Sequence, residues 1–488
     1  MSMFGPNQGG APVAPVFAQA RQRAATLMNA GQRDAAIPLL RDLLKQQPRD
    51  VAVLRMLGNA LSQNTAFAAK GTEAEGIRLL KFADQLAPNN PELLCDIASQ
   101  YKTLGKTRDA HVALDKALKI NPALGRAVMI KASLLQSGNK VDDALDLVRH
   151  ARRSNNDPSL AISFAQLCLH KKQYQDGVDA LTPYIERLDI EKMRREEIYF
   201  ALGQLYDKLG DYDKAFECFR TANTMQGKLP ASNFDPHIDT WTREAIQRIP
   251  LAQHDASRST LVVGMPRSGT TLTEMILAAH AKVAGIGENA KVNSLGSRHA
   301  IEKLEDQKTV DGMCLEYLGM LDEMVPDKSL LRVVDKMPEN YLYLGMVSRV
   351  LPGCQVIHCK RDARDTCLSI FFQAFGPWVK YARDLETVAE QYLGYLRTMA
   401  HWRETLDITI HDSVYEELTT EPEPRIRAMI EHTGLPFDPA CLEPHKTKST
   451  VHTASIAQVR NPIYRSSNQR WKNYEKHLGP MLDLLADV

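Results

Sequence analysis

The stretch Leu261-Val262-Val263-Gly264-Met265-Pro266-Arg267-Ser268-Gly269-Thr270-Thr271 decides how the second half of this chain is read. A short β-branched run ends in a glycine loop, and a helical stretch, Leu272 to Ala281, follows it. The order is strand, loop, helix. Such a loop turns successive backbone N–H groups toward one point, and the helix N-terminus adds its positive dipole there. The natural occupant is a phosphate.

The spacing is close to the G-x-x-x-x-G-K-[ST] phosphate loop, but Thr270 stands where the lysine belongs. A loop without that lysine can cradle one phosphate and is poorly equipped for the β- and γ-phosphates of ATP. The expected ligand is a nucleotide with a single 5′-phosphate group, and an ATP or GTP kinase is disfavoured.

Further along, Val356-Ile357-His358-Cys359-Lys360-Arg361-Asp362-Ala363-Arg364-Asp365-Thr366-Cys367-Leu368-Ser369 reads as a second strand and helix. Arg361 sits at the strand tip and offers a planar fork to a phosphate; Ser369 on the helix adds a hydroxyl donor. Alone, the pattern is weak, because Asp362 could cap the helix and Arg364 could pair with it. Together the two motifs place two phosphate sites at the C-terminal edge of one sheet, where open α/β sheets bind ligands. A nucleotide phosphorylated at both its 5′ and 3′ positions fits.

Around these motifs, Thr260–Val263, Leu331–Val334, Gln355–Cys359 and Asp407–Ile410 read as strands. Thr271–Ala281, Glu339–Val350, Asp365–Ala374, Glu386–Thr405 and Glu423–Thr433 read as helices. The alternation predicts an α/β domain over 259–488 with a mainly parallel sheet. Residues 231–258, with Pro236 and Pro250, read as a connector with a short helix near Trp241 to Arg248.

The first half has a different texture. From Pro91 the chain places Ile97, Ala98, Tyr101, Gly105, Ala110, Leu114, Ala117 and Pro122 at offsets that recur from Glu196 as Leu202, Gly203, Tyr206, Gly210, Ala215, Phe219 and Ala222. Segments from Phe17 and Val51 keep part of the register; those from Gly125 and Ser159 keep less. The period of roughly 34 residues resembles the tetratricopeptide repeat family, about six repeats over 17–230. The resemblance implies an all-α solenoid with a concave groove ahead of the α/β domain, for binding a protein partner or for a purely structural or dimerising role. Residues 1–16, rich in Gly, Pro and Ala, read as a disordered tail.

Composition limits the alternatives. Lys plus Arg (60) and Asp plus Glu (59) nearly cancel, so no global field favours nucleic acid or an anionic membrane. The eight cysteines include no C-x-x-C pair and read as small buried residues in a reducing compartment. Met1 to Pro15 lacks a signal-peptide pattern, and no apolar window is long enough to span a bilayer; a soluble cytoplasmic protein is expected. No metal-ligand spacing is present, and no metal is expected.

The pair Pro266-Arg267-Ser268-Gly269-Thr270-Thr271 and Arg361-Asp362-x-x-Asp365-x-x-x-Ser369 resembles the 5′ and 3′ phosphate motifs of sulfotransferases that use 3′-phosphoadenylyl sulfate (PAPS). Within that superfamily the tyrosylprotein sulfotransferases are most alike, from about Ser259 to Trp471. The resemblance implies that Arg267, Ser268, Gly269, Thr270 and Thr271 bind the 5′-phosphosulfate. It gives Arg361 and Ser369 to the 3′-phosphate, Tyr415 to the adenine side and Arg470 to the nucleotide. By the same likeness Glu288 is the catalytic base, Lys336 stabilises the transferring sulfuryl group, and Ser455 lies near it. PAPS is then the co-substrate and adenosine 3′,5′-bisphosphate the product.

The acceptor is less constrained. The protein-tyrosine enzymes carry arginines shortly after the glutamate; here Ala290 and Ser294 occupy those spacings and Lys291 is the basic residue nearby. Gln373 replaces another expected basic residue. A protein tyrosine, a carbohydrate, a lipid or a small metabolite all remain acceptors, as does the rival reading of a non-catalytic nucleotide-binding repeat scaffold. His254, His280, His299, His358, His432 and His452 have no paired partner by spacing and are read as structural or surface groups.

Overall fold

The computed structural model describes residues 15–62, 72–225, 227, 229–376, 379–446 and 468–488. The chain divides into two compact units, Met1–Asp211 and Tyr212–Val488.

The first unit is a run of helices: α1 (Pro15–Asn29), α2 (Arg33–Gln46), α3 (Val51–Ser62), α4 (Thr72–Leu86), α5 (Pro91–Thr103), α6 (Thr107–Ile120), α7 (Gly125–Ser137), α8 (Val141–Ala151), α9 (Pro158–Lys171), α10 (Tyr174–Leu181) and α11 (Lys192–Leu209). They pack in sequential pairs, as the repeat register predicts. Small residues make this possible: Ala36, Ala98, Ala110 and Ala144 are fully buried where two helix backbones approach. Leu40, Leu114 and Ala117 carry the core onward from pair to pair. One charge in this unit is deeply buried and doubly paired. Asp96 of α5, 1% exposed, is held between Arg55 of α3 and Arg126 of α7.

The helix pair expected to close the repeats divides between the units. α12 (Tyr212–Thr224) opens the second one, because its aromatic face is bound there. Phe219 stacks on Phe372 at 4.0 Å, and Phe216 lies parallel to the His477 ring at 4.5 Å. Asn223 donates to the Phe371 carbonyl at 2.8 Å, and Lys476 and His477 both reach Asp213. Residues 231–258 are also tied down. They hold α13 (Asp235–Thr240) and α14 (Arg243–Arg248). Trp241 is buried edge-on to Trp402, and Ala252 N–H donates to Arg349 O at 2.9 Å.

The remaining strands and α-helices are β1 (Ser259–Gly264), α15 (Thr270–Ala278), β2 (Val283–Gly285), α16 (Lys291–Arg298), α17 (Gln307–Met324), β3 (Arg332–Lys336), α18 (Leu344–Val350), β4 (Gln355–Lys360), α19 (Ala363–Phe371), α20 (Leu385–Thr405), β5 (Ile410–Val414), α21 (Tyr415–Thr420), α22 (Pro422–His432) and α23 (Gly479–Leu484). The five strands form one parallel sheet in the order β2-β3-β1-β4-β5. β1 is buried along its length, which is why it reads as an unbroken apolar run. All strands point the same way, so the ends of β1, β3 and β4 open onto one edge.

Several features depart from the expectation. β5 lies at Ile410–Val414, not Asp407–Ile410: its polar His411 and Asp412 pair in register with Ile357 and His358. Asp412 accepts from His358 Nδ1 at 3.0 Å, so this histidine does have a partner, one strand away. The short β2 and the helices α16, α17 and α21 were not anticipated, and the helix expected over Glu339–Val350 is a 3-10 turn, Pro338–Tyr343, followed by α18. Among the described residues no helix is long and apolar enough to cross a membrane.

Candidate active site

The loop after β1 is shaped by what surrounds it. A Cβ on Gly264 would meet Cys359 O at 2.5 Å, and one on Gly269 would meet the Tyr415 ring at 2.9 Å. Gly269 adopts φ +103° and caps α15, leaving the first N–H groups of that helix directed into the loop. Thr270 and Thr271 open α15 and are buried. Arg267 itself takes φ +71°, a conformation that non-glycine residues adopt at a cost and that clusters at functional sites. Ser268 is 3% exposed, and its Oγ has no hydrogen-bond partner among the described residues. A buried, unsatisfied hydroxyl facing a cradle that tolerates no extra Cβ suits a bound phosphate oxygen.

The second motif meets the first. Arg267 Nε donates to Ser369 Oγ at 3.0 Å, and Arg361 Nη1 donates to Arg267 O at 3.1 Å. The Arg361 guanidinium also lies 4.9 Å from the Tyr415 ring centroid. Arg267, Ser268, Gly269, Thr270, Thr271, Arg361, Ser369 and Tyr415 are therefore gathered at the mouth between β1 and β4.

Support comes from α19. Asp362 caps it, accepting from the N–H groups of Arg364 and Asp365 at 2.9 and 3.1 Å. Asp365, buried, stands 3.9 Å from Arg361 Nη2 and accepts from the N–H groups of Gln469 and Trp471 at 2.6 and 2.9 Å. Burial raises its carboxyl pKa, against the pull of those N–H groups and of Arg361. Asp365 thus returns the segment at Arg470 to the site's edge. Arg470 itself rests over Phe372, 5.3 Å from its ring centroid.

Lys336 and Glu288, each singled out by resemblance, meet at the end of β3. Lys336 is its last residue, with a side chain of 0% exposure, and its Nζ lies 2.5 Å from Glu288 Oε1. Glu288 is 46% exposed. A buried ammonium against a reachable carboxylate can exchange a proton with a group arriving from solvent. Asp335, one residue earlier, is buried and accepts from Tyr317 Oη at 3.2 Å; desolvation pushes its pKa to about 7. Glu339, beyond Lys336, is raised by burial and by the charge of Glu288. Ser455 lies outside the described residues.

Sequence reasoning passed over three acidic groups: Glu274, Asp335 and Asp365. Glu274 had a signal, a lone charge in the apolar run Leu272–Ala279. Asp365 stood within the second motif, but its N–H partners, Gln469 and Trp471, lie far along the chain.

Comparison with known proteins agrees with this architecture. Residues 260–439 match the sulfotransferase family, and residues 17–60 and 196–228 match tetratricopeptide repeats. An uncharacterized protein of Aquifex aeolicus (strain VF5) is 32% identical over 344 residues, covering 65% of this chain and 44% of that protein. Protein-tyrosine sulfotransferase 1 of Danio rerio is 25% identical over 223 residues, covering 42% of this chain and 60% of that protein. The chain thus spans less than two thirds of either relative. A tetratricopeptide protein of Thermus thermophilus superposes with a TM-score of 0.33 at 17% identity, over 38% of this chain and 98% of its own. The chain carries tetratricopeptide repeats ahead of a sulfotransferase-family domain.

Proposed function

We propose that the second unit transfers a sulfuryl group from PAPS to a hydroxyl acceptor. The observation that carries this reading is the contact of Arg267 with both Ser369 and Arg361. It supports a reading in which a one-phosphate loop and a second phosphate site share one mouth. When bound, PAPS supplies a sulfuryl group activated by its 5′-phosphate. The loop N–H groups, Arg267, Ser268, Thr270 and Thr271 hold the 5′ end. Arg361 and Ser369 hold the 3′-phosphate, with Tyr415 on the adenine side and Arg470 at the rim. Ser455 is assigned to the sulfuryl side by resemblance.

Glu288 accepts the acceptor's hydroxyl proton as the new O–S bond forms and the bond to the bridging phosphate oxygen breaks. Neutralising Glu288 frees the Lys336 ammonium from its ion pair, and that charge stabilises the departing phosphate. Adenosine 3′,5′-bisphosphate leaves. The work is positioning and charge stabilisation. Glu288→Ala and Lys336→Ala each lose turnover while still binding adenosine 3′,5′-bisphosphate. Unchanged function in both variants would instead favour the non-catalytic scaffold.

A specific observation favours an acceptor other than an acidic tyrosine peptide. Lys291 and Arg298, the cations that follow Glu288, are both occupied by Glu316 at 3.2 and 2.7 Å. Glu339 adds a carboxyl beside Glu288. A neutral acceptor, such as a carbohydrate, lipid or small metabolite, meets less repulsion there. Mass spectrometry of peptide and non-peptide panels incubated with enzyme and PAPS separates the two; sulfation of acidic peptides alone would reject the neutral-acceptor reading. Recruitment of a protein acceptor or partner falls to the repeats of the first unit, which hold a polar cavity of about 360 Å³ lined in part by Ser133, Gln166, Arg194 and Glu197.

A further inference from the structure

Glu274 lies on the second turn of α15, fully buried, in a run that is otherwise apolar or hydroxyl-bearing. An apolar side chain would fill this volume at no electrostatic expense, whereas a buried carboxyl costs several kcal/mol unless it is engaged. It is engaged at one place. Its Oε1 accepts from Gly287 N–H at 2.7 Å. The Gly287 carbonyl in turn accepts from Lys336 N–H at 3.1 Å, and Gly287 takes φ +71°. Gly287, the residue just before Glu288, is therefore pinned on two sides, its N–H by the Glu274 carboxyl and its carbonyl by the β3 backbone that carries Lys336.

The room for this contact is reserved. A Cβ on Gly285 would stand 3.0 Å from Glu274 Oε1 and 3.3 Å from its Cγ. Burial raises the Glu274 pKa and the nearby Lys336 charge lowers it, so the carboxyl also belongs to the electrostatic surroundings of the catalytic pair. Because α15 starts at Thr270, in the phosphate loop, Glu274 spans from the nucleotide side to the proton-transfer side within two helical turns.

We propose that Glu274 is a positioning residue, which fixes the turn at Gly287 and so holds Glu288 and Lys336 in reacting geometry relative to the phosphate loop. This rests on the sulfuryl-transfer reading. It makes Glu274 a support of the chemistry rather than of the fold or of nucleotide affinity.

The test compares Glu274→Met, which keeps the volume and removes the acceptor, with Glu274→Gln, which keeps an acceptor oxygen. Gly285→Ala crowds the same contact from the other side. In the full chain, Glu274→Met is expected to lower kcat about 100-fold, the scale of a misplacement near 1 Å. KM for PAPS and the calorimetric Kd for adenosine 3′,5′-bisphosphate stay within about twofold, because uniform binding is untouched. Glu274→Gln restores kcat to within a few-fold of wild type, and Gly285→Ala falls in the direction of Glu274→Met. Wild-type kcat in Glu274→Met overturns the proposal. So does a parallel loss of nucleotide binding, which would mark a purely structural role, or a Gln variant as impaired as Met. Absence of turnover in the wild-type protein itself would strike the sulfuryl-transfer reading, a separate result from normal turnover in Glu274→Met.

Discussion

At the scale of single residues, the site is defined by groups held where their chemistry would be costly elsewhere. Gly269 adopts φ +103° with the Tyr415 ring against it, so Gly269→Ala both strains the backbone and pushes on that ring. The expected result is a loss of at least about tenfold in affinity for adenosine 3′,5′-bisphosphate by calorimetry, with a far-ultraviolet spectrum unchanged. Asp335 supplies a pH test. Its folded pKa near 7 exceeds the ordinary 3.8 because burial disfavours the charge. The folded state holds that proton more tightly than the unfolded chain. This group therefore favours folding least once both states have lost the proton, and stability falls as pH rises from about 4 to 7. Asp335→Asn removes the effect, so its unfolding midpoint should rise relative to wild type between pH 4 and 8; a constant difference would contradict the assignment. Arg267, Ser268, Arg361 and Ser369 were legible in the sequence because glycine spacing and strand ends mark them. The role of Glu274 was not, because it acts through a backbone N–H group that only the folded chain brings near.

At the scale of elements, local pattern located some structures and tertiary context fixed others. β1 and β4 fall where their apolar runs place them. β5 shifted toward Val414 because its stabilisation comes from the parallel ladder with β4 and from the His358–Asp412 bond, not from alternation. β2 has three residues, too few for any period to register. α17 did carry a helical signal, Val310, Met313, Cys314, Tyr317 and Leu321, all buried on one face. α12 shows that an element can satisfy a repeat register and still be bound within the other compact unit. Phe219, 1% exposed, stacks on Phe372, at the end of the helix that carries Ser369. Phe219→Ala should cost about 3–5 kcal/mol of stability in denaturant titration. It should also weaken adenosine 3′,5′-bisphosphate more than AMP, since the proposal gives the 3′ side to α19; equal weakening of both ligands would sever that link.

At the scale of the whole molecule, the repeat unit and the sulfotransferase-family domain were each readable from short recurring signatures, a repeating register of small and apolar residues in one case and two phosphate motifs in the other. The acceptor was not readable: on the proposed reading it meets the charges around Glu288, and the ion pairs of Glu316 with Lys291 and Arg298 form only in the folded chain. The central claim is that one mouth grips both phosphates of a doubly phosphorylated adenosine. Calorimetric titration of the full chain with adenosine 3′,5′-bisphosphate, AMP and ATP tests it most directly. Charge-assisted hydrogen bonds of about 1.5–3 kcal/mol at the 3′-phosphate predict binding at least about tenfold tighter than AMP, with the advantage abolished in Arg361→Ala. Equal affinity for the bisphosphate and AMP, or tighter magnesium-dependent binding of ATP, would contradict it.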